Sequence, residues 1–290
     1  MPTLLAPAKI NATLEILGRR GDGYHTLRSV MLPIALYDRI DLEASATPCL
    51  QVDDPTLARD NLVERALAAC GFADRFAVTL HKAIPVGGGL GGGSSDAAAV
   101  VRAAMDGTLG SWGERDWLSV ASALGSDVPF FLCGTGALVE GVGERVTALG
   151  ALPPWWCVIV RPHAAIATAD AYRRLDLARA NGGVQESRPR AASASLAAVD
   201  ALQRADFAAL CAALINDFHD VILSASPAVA RAAASLRAAG AANVLLSGSG
   251  SCLFALARDE GTARAIGARL EREPVAASFI APLHHDPAWR

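Results

Sequence analysis

Lysine is almost missing from this chain: of its 26 basic residues only Lys9 and Lys82 are not arginine. Ammonium and guanidinium differ in shape and hydration, so the two retained lysines either mark places where a compact cation is wanted or stand there by chance. Long apolar runs are missing too. Although 52% of the residues are hydrophobic, no stretch approaches the roughly 20 continuous apolar residues of a membrane span. The chain enters a strand-like pattern at once, without a cationic segment and cleavable apolar run, which reads as no signal peptide. The six cysteines (Cys49, Cys70, Cys133, Cys157, Cys211 and Cys252) form no C-x-x-C pair. That argues against metal and disulfide roles and for small buried hydrophobes in a reducing compartment. A formal net charge of only −3 leaves no electrostatic footprint for nucleic acid or a membrane surface. The expectation is a cytoplasmic protein with neither as partner.

The 290 residues suffice for one large or two ordinary domains. Pro and Gly interrupt the pattern at Leu149-Gly-Ala-Leu-Pro-Pro154, which sets a boundary between domains 1–152 and 153–290. Before it, alternating apolar residues predict a half-buried strand over Leu4–Gly18, then extended segments at 27–36 and 39–44. Asn61 and Gly71 bracket a capped helix over 62–70, and 76–82 reads as a strand. A helix near 114–124 and a strand at 137–140 follow. Beyond the boundary come a strand at 155–161 and a polar loop over 181–190. Alanine-rich helices are expected at 191–215 and 226–239, strands at 243–247 and 252–257, a helix at 260–271 and a strand near 276–281. The second half therefore alternates helices and strands as an α+β sandwich would.

Residues 85–96 read Pro-Val-Gly-Gly-Gly-Leu-Gly-Gly-Gly-Ser-Ser-Asp, and an alanine-rich helix starts at Ser94. Six glycines between Gly87 and Gly93 let the backbone approach a ligand closely. A glycine loop opening into a helix offers unpaired N–H groups at the positive end of the helix dipole, which favours an anion, most often phosphate. A linker reading fits poorly with an apolar helix following directly. A Walker A reading lacks its lysine. Gly87, Gly89 and Gly92 also satisfy the dinucleotide fingerprint Gly-x-Gly-x-x-Gly, and the strand at 76–82 keeps that reading open.

Three further segments carry polar chemistry. Lys9 and Asn11 share one face of the first strand, which is either an exposed sheet face or the wall of a polar site. Tyr24 and His25 follow the turn Gly21-Asp-Gly23 and suit a planar heterocycle, or are plain surface packing. Asp127, between Gly125-Ser126 and Pro129, is either a helix N-cap or the carboxylate of a hydroxyl nucleophile. Ser247-Gly-Ser-Gly-Ser251 is a small-residue turn, an ordinary hairpin or a place where one backbone packs closely on another or on phosphate.

Taken in order, these segments resemble the signatures of the GHMP kinases, the superfamily of galactokinase, homoserine kinase and mevalonate kinase. Within it they are most similar to the 4-diphosphocytidyl-2-C-methyl-D-erythritol kinases of the non-mevalonate isoprenoid pathway. The likeness is carried by Pro7-Ala-Lys-Ile-Asn11, Gly18-Arg-Arg-Gly-Asp-Gly-Tyr-His25 and the doubled glycine triplet. Gly125-Ser-Asp-Val-Pro129, Glu140-Gly-Val-Gly-Glu144 and Ser247-Gly-Ser-Gly-Ser-Cys252 complete it. It runs from Pro7 to about Ala257 and weakens across 45–60 and 180–225. The resemblance implies an α+β two-domain fold, with an N-terminal domain like ribosomal protein S5 domain 2 and a C-terminal ferredoxin-like α/β sandwich. It also implies a small-molecule substrate phosphorylated from ATP with Mg²⁺, for which the sequence offers no acidic cluster.

Residue by residue, the resemblance assigns the ATP phosphates to the loop Pro85, Gly87, Gly88, Gly89, Leu90, Gly91, Gly92, Gly93, Ser94 and Ser95. Asn61 and Lys82 would lie near the nucleotide base. Tyr24 and Tyr172 would sandwich the substrate cytosine, His25 would hydrogen-bond its edge, and Thr168 would line the same site. Lys9 and Asp127 would form the catalytic pair beside Asn11.

Overall fold

The computed structural model describes residues 2–110, 115–181, 193–271 and 277–284. In chain order the first half contains β1 (Thr3–Arg19), β2 (His25–Ala44), β3 (Cys49–Val52), α1 (Leu62–Cys70), β4 (Phe76–His81) and α2 (Gly92–Met105). Then come α3 (Trp117–Leu124), α4 (Val128–Leu132), β5 (Ala137–Gly141) and β6 (Arg145–Ala148). The second half holds β7 (Trp156–Arg161), α5 (Thr168–Ala180), α6 (Ala194–Gln203), α7 (Phe207–Ala213), β8 (Ile215–Asn216) and α8 (His219–Ala225). It ends with α9 (Pro227–Ala238), β9 (Leu245–Leu246), β10 (Leu253–Ala257), α10 (Glu260–Leu270) and β11 (Ala277–Pro282). The expected polar loop at 181–190 lies outside the described residues, apart from Asn181, which closes α5.

One seven-stranded sheet runs β3-β4-β2-β1-β8, with β5 on β2 and β6 on β5; a four-stranded sheet runs β11-β7-β10-β9. The expected extended segments at 27–36 and 39–44 are one strand. β2 pairs with β5 through Leu27–Met31 and with β4 through Arg39–Ala44. Between these stretches its register against β1 slips, from Ala8 opposite Ile34 to Pro7 opposite Tyr37. A bulge of this kind re-aims a side chain, and the next residue is the fully buried Asp38.

The helix α1 forms as its ends dictate. The Asn61 side chain accepts from the Val63 amide, and Gly71 closes the helix in the left-handed region at φ 81°. The helix α2 begins at Gly92, one half-turn before the expected Ser94, and no side chain caps its N-terminus. The stretch 191–215 is not one helix; Arg204 to Asp206 separates α6 from α7, with Ala205 at φ 52°.

Strand β1 departs from the half-buried pattern. Residues 6–16 are buried on both faces. Ile10 and Ala12 join a core that also contains Leu152, Trp155, Ala198 and Phe254, so this core draws on both halves of the chain. The opposite face carries Lys9, Asn11, Thr13 and Glu15, none more than 3% exposed. The exposed-sheet-face reading of Lys9 and Asn11 is thereby excluded. Buried polar side chains need partners, and here they have them. Asn11 Nδ2 donates to Ser29 Oγ at 2.8 Å, while Ser195 Oγ donates to Glu15 Oε2 at 2.6 Å. Of the six cysteines, Cys70, Cys157 and Cys252 are buried as expected, whereas Cys49 is exposed.

Candidate active site

Two hollows meet at the glycine loop. The larger, about 1130 Å³, is lined by Lys9, Asn11, Tyr24, His25, Asp127, Thr168 and Tyr172, which are all the expected catalytic and substrate residues. The smaller, about 420 Å³, is lined by Asn61, Lys82, Pro85 and Gly87 through Ser94. Gly89 and Gly91 line both. Of the expected site residues only Ser95 opens onto neither; it is 1% exposed and its hydroxyl has no hydrogen-bond partner among the described residues.

Glycine is required in the loop for two separate reasons. Gly87, Gly89 and Gly91 have φ of 67°, 76° and 74°, a region that side chains with a Cβ avoid. In addition, a Cβ at Gly89 would lie 2.0 Å from the Ser247 carbonyl oxygen. The late Ser/Gly motif therefore packs backbone on backbone against the loop. Ser247 Oγ donates to Gly89 O at 3.0 Å, and the Cys252 amide donates to Gly88 O at 3.1 Å. Asn216 holds the motif from behind, donating to Leu246 O at 2.7 Å and Gly248 O at 2.8 Å.

Strand β1 delivers the ammonium. Lys9 Nζ donates to Asn11 Oδ1 at 2.6 Å and lies 3.5 Å from Asp127 Oδ2. The Lys9 amide also donates to Leu90 O at 2.9 Å, which registers the strand against the loop. Asp127 occupies the N-cap position of α4, as its bland reading supposed, yet its side chain makes no capping hydrogen bond. It faces Lys9 instead, 29% exposed to the larger cleft. The cation, its amide support and the carboxylate stand at the edge of the loop where the two hollows join.

The far end of the larger cleft is aromatic. His25 stacks on Tyr172 with centroids 4.6 Å apart, and Tyr172 meets Phe218 edge-on at 4.9 Å. His25 Nε2 is 2.9 Å from Asp176 Oδ1. It is thus His25, not Tyr24, that covers the Tyr172 ring; Tyr24 stands 67% exposed at the rim. Burial, reinforced by the charge of Asp127, pushes the Tyr172 phenol up to about 12, so it stays protonated. Thr168 Oγ1 lies 3.0 Å from Ser249 Oγ and ties the start of α5 to the late motif.

Comparison with known proteins fits this arrangement. A 4-diphosphocytidyl-2-C-methyl-D-erythritol kinase of Symbiobacterium thermophilum is 40% identical over 97% of this chain and 96% of its own length. Another, from Solidesulfovibrio magneticus, is 41% identical over 97% of both. The chain belongs to this kinase family. Models of the GHMP kinases N terminal domain and C terminal region match residues 60–135 and 198–276. A crystal structure of 4-(cytidine 5'-diphospho)-2C-methyl-D-erythritol kinase superposes with TM-score 0.78 at 34% identity, over 98% of this chain and 100% of that one. The Leishmania major mevalonate kinase, at 17% identity and TM-score 0.68, shares the fold. The two-domain α+β GHMP architecture is confirmed, and as a GHMP kinase the chain uses ATP.

Two expected nucleotide-side residues are already engaged within this GHMP kinase. Asn61 caps α1 and its Nδ2 donates to Leu57 O at 2.8 Å. Lys82 Nζ donates to Asp38 and, at 2.6 Å, to Asp96 Oδ2. Sequence reasoning missed Asp38, although the signal was there: a carboxylate in alternation with Ile40 and Leu42 on the apolar face of its strand. It also missed Asp176, one helical turn beyond Tyr172. Among the described residues no three of His, Cys, Asp or Glu come together to hold a metal ion. Asp96 is buried against Lys82. Among the described residues the side chains build no Mg²⁺ cage of their own.

Proposed function

We propose that this chain transfers the γ-phosphoryl group of ATP to the 2-hydroxyl of 4-diphosphocytidyl-2-C-methyl-D-erythritol, a step of the non-mevalonate route to isoprenoid precursors. The observation that carries the proposal is the junction of the two hollows at Gly89 and Gly91, with Lys9 and Asp127 beside it. On this reading residues 1–152 supply the phosphate loop and the catalytic pair. Residues 153–290 supply Thr168, Tyr172 and the motif that braces the loop. The triphosphate lies on the backbone N–H groups of the loop and the uncapped end of α2.

Phosphoryl transfer leaves a protein little covalent work, so positioning and charge stabilisation dominate. Asp127 takes the proton of the attacking hydroxyl. Lys9, held by Asn11, offsets the negative charge that gathers on the transferring group. Mg²⁺ carried by the triphosphate would supply neutralisation of phosphate charge, with no acidic side-chain cluster among the described residues to hold it. The cytidine end lies in the aromatic part of the cleft near Tyr24, His25 and Tyr172, remote from the reacting oxygen, and its binding fixes the tertiary alcohol in place.

An ADP-release assay tests the reading with three acceptors side by side: the cytidylyl substrate, homoserine and mevalonate. Turnover is expected with the first alone. Faster release with either of the others would overturn the assignment.

A further inference from the structure

A buried charged cluster lies under the phosphate loop, apart from the Lys9–Asp127 pair. Its members come from three elements: Asp38 from β2, Lys82 from the end of β4, and Asp96 from α2. Lys82 Nζ lies between the two carboxylates, and the side chains of Asp38 and Asp96 are 0% and 3% exposed. Asp38 does more than pair with Lys82. Its Oδ1 accepts from the Ala83 amide at 2.7 Å and from the Ile84 amide at 2.8 Å. A Cβ on Gly92 would stand 3.2 Å from Asp38 Oδ2, so the same carboxylate packs against the first residue of α2.

The cluster therefore grips the chain on both sides of the loop. Residues 82–84 lead in and Gly92–Asp96 lead out, and the segment between them is mostly glycine, with little stiffness of its own. Such a loop keeps one shape only if its ends are fixed. Burying three charged groups is costly unless each is paired, so a cluster kept here has a task that apolar packing would not do as well. We propose that Asp38, Lys82 and Asp96 form a positioning unit that fixes both ends of the phosphate loop, so that ATP affinity depends on their mutual pairing and even on Asp38, which lines neither hollow.

The electrostatics agree. Burial by itself would depress the Lys82 ammonium, but attraction to Asp96 and Asp38 more than offsets this and raises it, so the cation stays charged. The role differs from the one the family resemblance implied for Lys82, a contact near the base. It rests on the reading of the loop as the ATP phosphate site.

The test is calorimetric binding of a non-hydrolysable ATP analogue, which needs no acceptor, followed by steady-state kinetics with both substrates. The variants are Lys82→Met, Lys82→Arg, Asp38→Asn and Asp96→Asn, each checked for folding by thermal melting. We expect Lys82→Met and Asp38→Asn to weaken analogue binding about 10- to 100-fold, the range of a lost charge-assisted hydrogen bond to a buried partner. KM for the cytidylyl substrate should stay within about twofold, since that cleft lies on the other side of the loop. Lys82→Arg should recover part of the loss. Where Lys82→Met fails to fold, Lys82→Arg and Asp96→Asn give the same comparison at smaller amplitude. Folded variants that bind the analogue as the parent does would overturn the inference alone. So would equal losses for both substrates, which mean general destabilisation. Failure of the parent chain to bind the analogue would overturn the loop reading as well.

Discussion

Replacing Gly89 by alanine, with Gly87→Ala beside it, isolates what the late motif asks of the phosphate loop. Both glycines have positive φ, 67° at Gly87 and 76° at Gly89, so either alanine incurs about 1–2 kcal/mol of left-handed strain. They differ in surroundings. A Cβ at Gly87 meets nothing within 4 Å, whereas one at Gly89 would sit 2.0 Å from Ser247 O and 2.9 Å from the carbonyl carbon. These are backbone atoms that no rotamer change can move. Relief requires the loop and the motif to separate, which breaks the hydrogen bonds Ser247 Oγ–Gly89 O and Cys252 N–Gly88 O. At about 1 kcal/mol each, with about 1–3 kcal/mol for overpacking, the Gly89→Ala loss comes to about 4–7 kcal/mol. For a chain of this size about 1 kcal/mol shifts the melting midpoint by roughly 2–4 °C. Gly87→Ala should therefore melt only a few degrees below the parent. Gly89→Ala should melt more than about 10 °C below it, with a KM for ATP raised at least about tenfold where it remains folded. Differential scanning calorimetry and ADP-release kinetics read both quantities. Equal destabilisation by the two alanines would show that contact with Ser247 does not dictate the glycine, and the account of the loop would fail.

Three other outcomes are expected. Asp127→Asn should lower kcat by about 10²–10⁴-fold with little change in KM, the scale of lost general-base catalysis; near-parent turnover would leave Asp127 as the N-cap position of α4 and nothing more. Tyr24→Ala, at a site 67% exposed, should leave melting nearly unchanged while raising KM for the cytidylyl substrate and sparing ATP. An equal rise for both would count against a substrate role. Burial pushes Asp96 up to about 7 from an ordinary 3.8, with Lys82 opposing the shift and Asp38 adding to it. The folded chain holds this proton after the unfolded chain has released it. The group's contribution is therefore full below pH 3.8 and is lost as pH rises toward about 7. Asp96→Asn should flatten that part of the stability profile, read as denaturant midpoints from pH 5 to 8; parallel profiles for the variant and parent would refute the assignment.

Much of this was legible because local chemistry and tertiary structure agree. Asn61 and Gly71 announce α1 at both ends, and the glycine run announces a loop that must approach something closely. What stayed hidden is instructive. Helix α5 carries Asp170, Arg173, Arg174, Asp176 and Arg179 on a short stretch, so it lacks an apolar stripe to betray it, although it bears Thr168 and Tyr172. The strand β8 has two residues, too few for any period, and begins at the end of the stretch read as helix. The polar face of β1 stayed open between an exposed sheet face and a polar site because alternation alone does not tell water from a buried network. Only the partners Ser29 and Ser195, 18 and 180 residues away from Asn11 and Glu15, settle that. The orientation of Asp127 was likewise open in the sequence, since a capping side chain and one turned toward Lys9 look the same until the fold brings the two together.

The brace between Gly89 and Ser247 spans 158 positions of the chain. A ribosome adding about 5–20 residues per second therefore releases the glycine segment some 8–30 s before the strand that must lock it. Throughout that interval the nascent polypeptide carries a loop held by β1 and by its buried charged ends but lacking the backbone of the late motif. On the proposed reading of the loop, nucleotide capture is acquired late in translation, and fragments that stop short of the final sixth of the chain should fail to bind an ATP analogue by calorimetry.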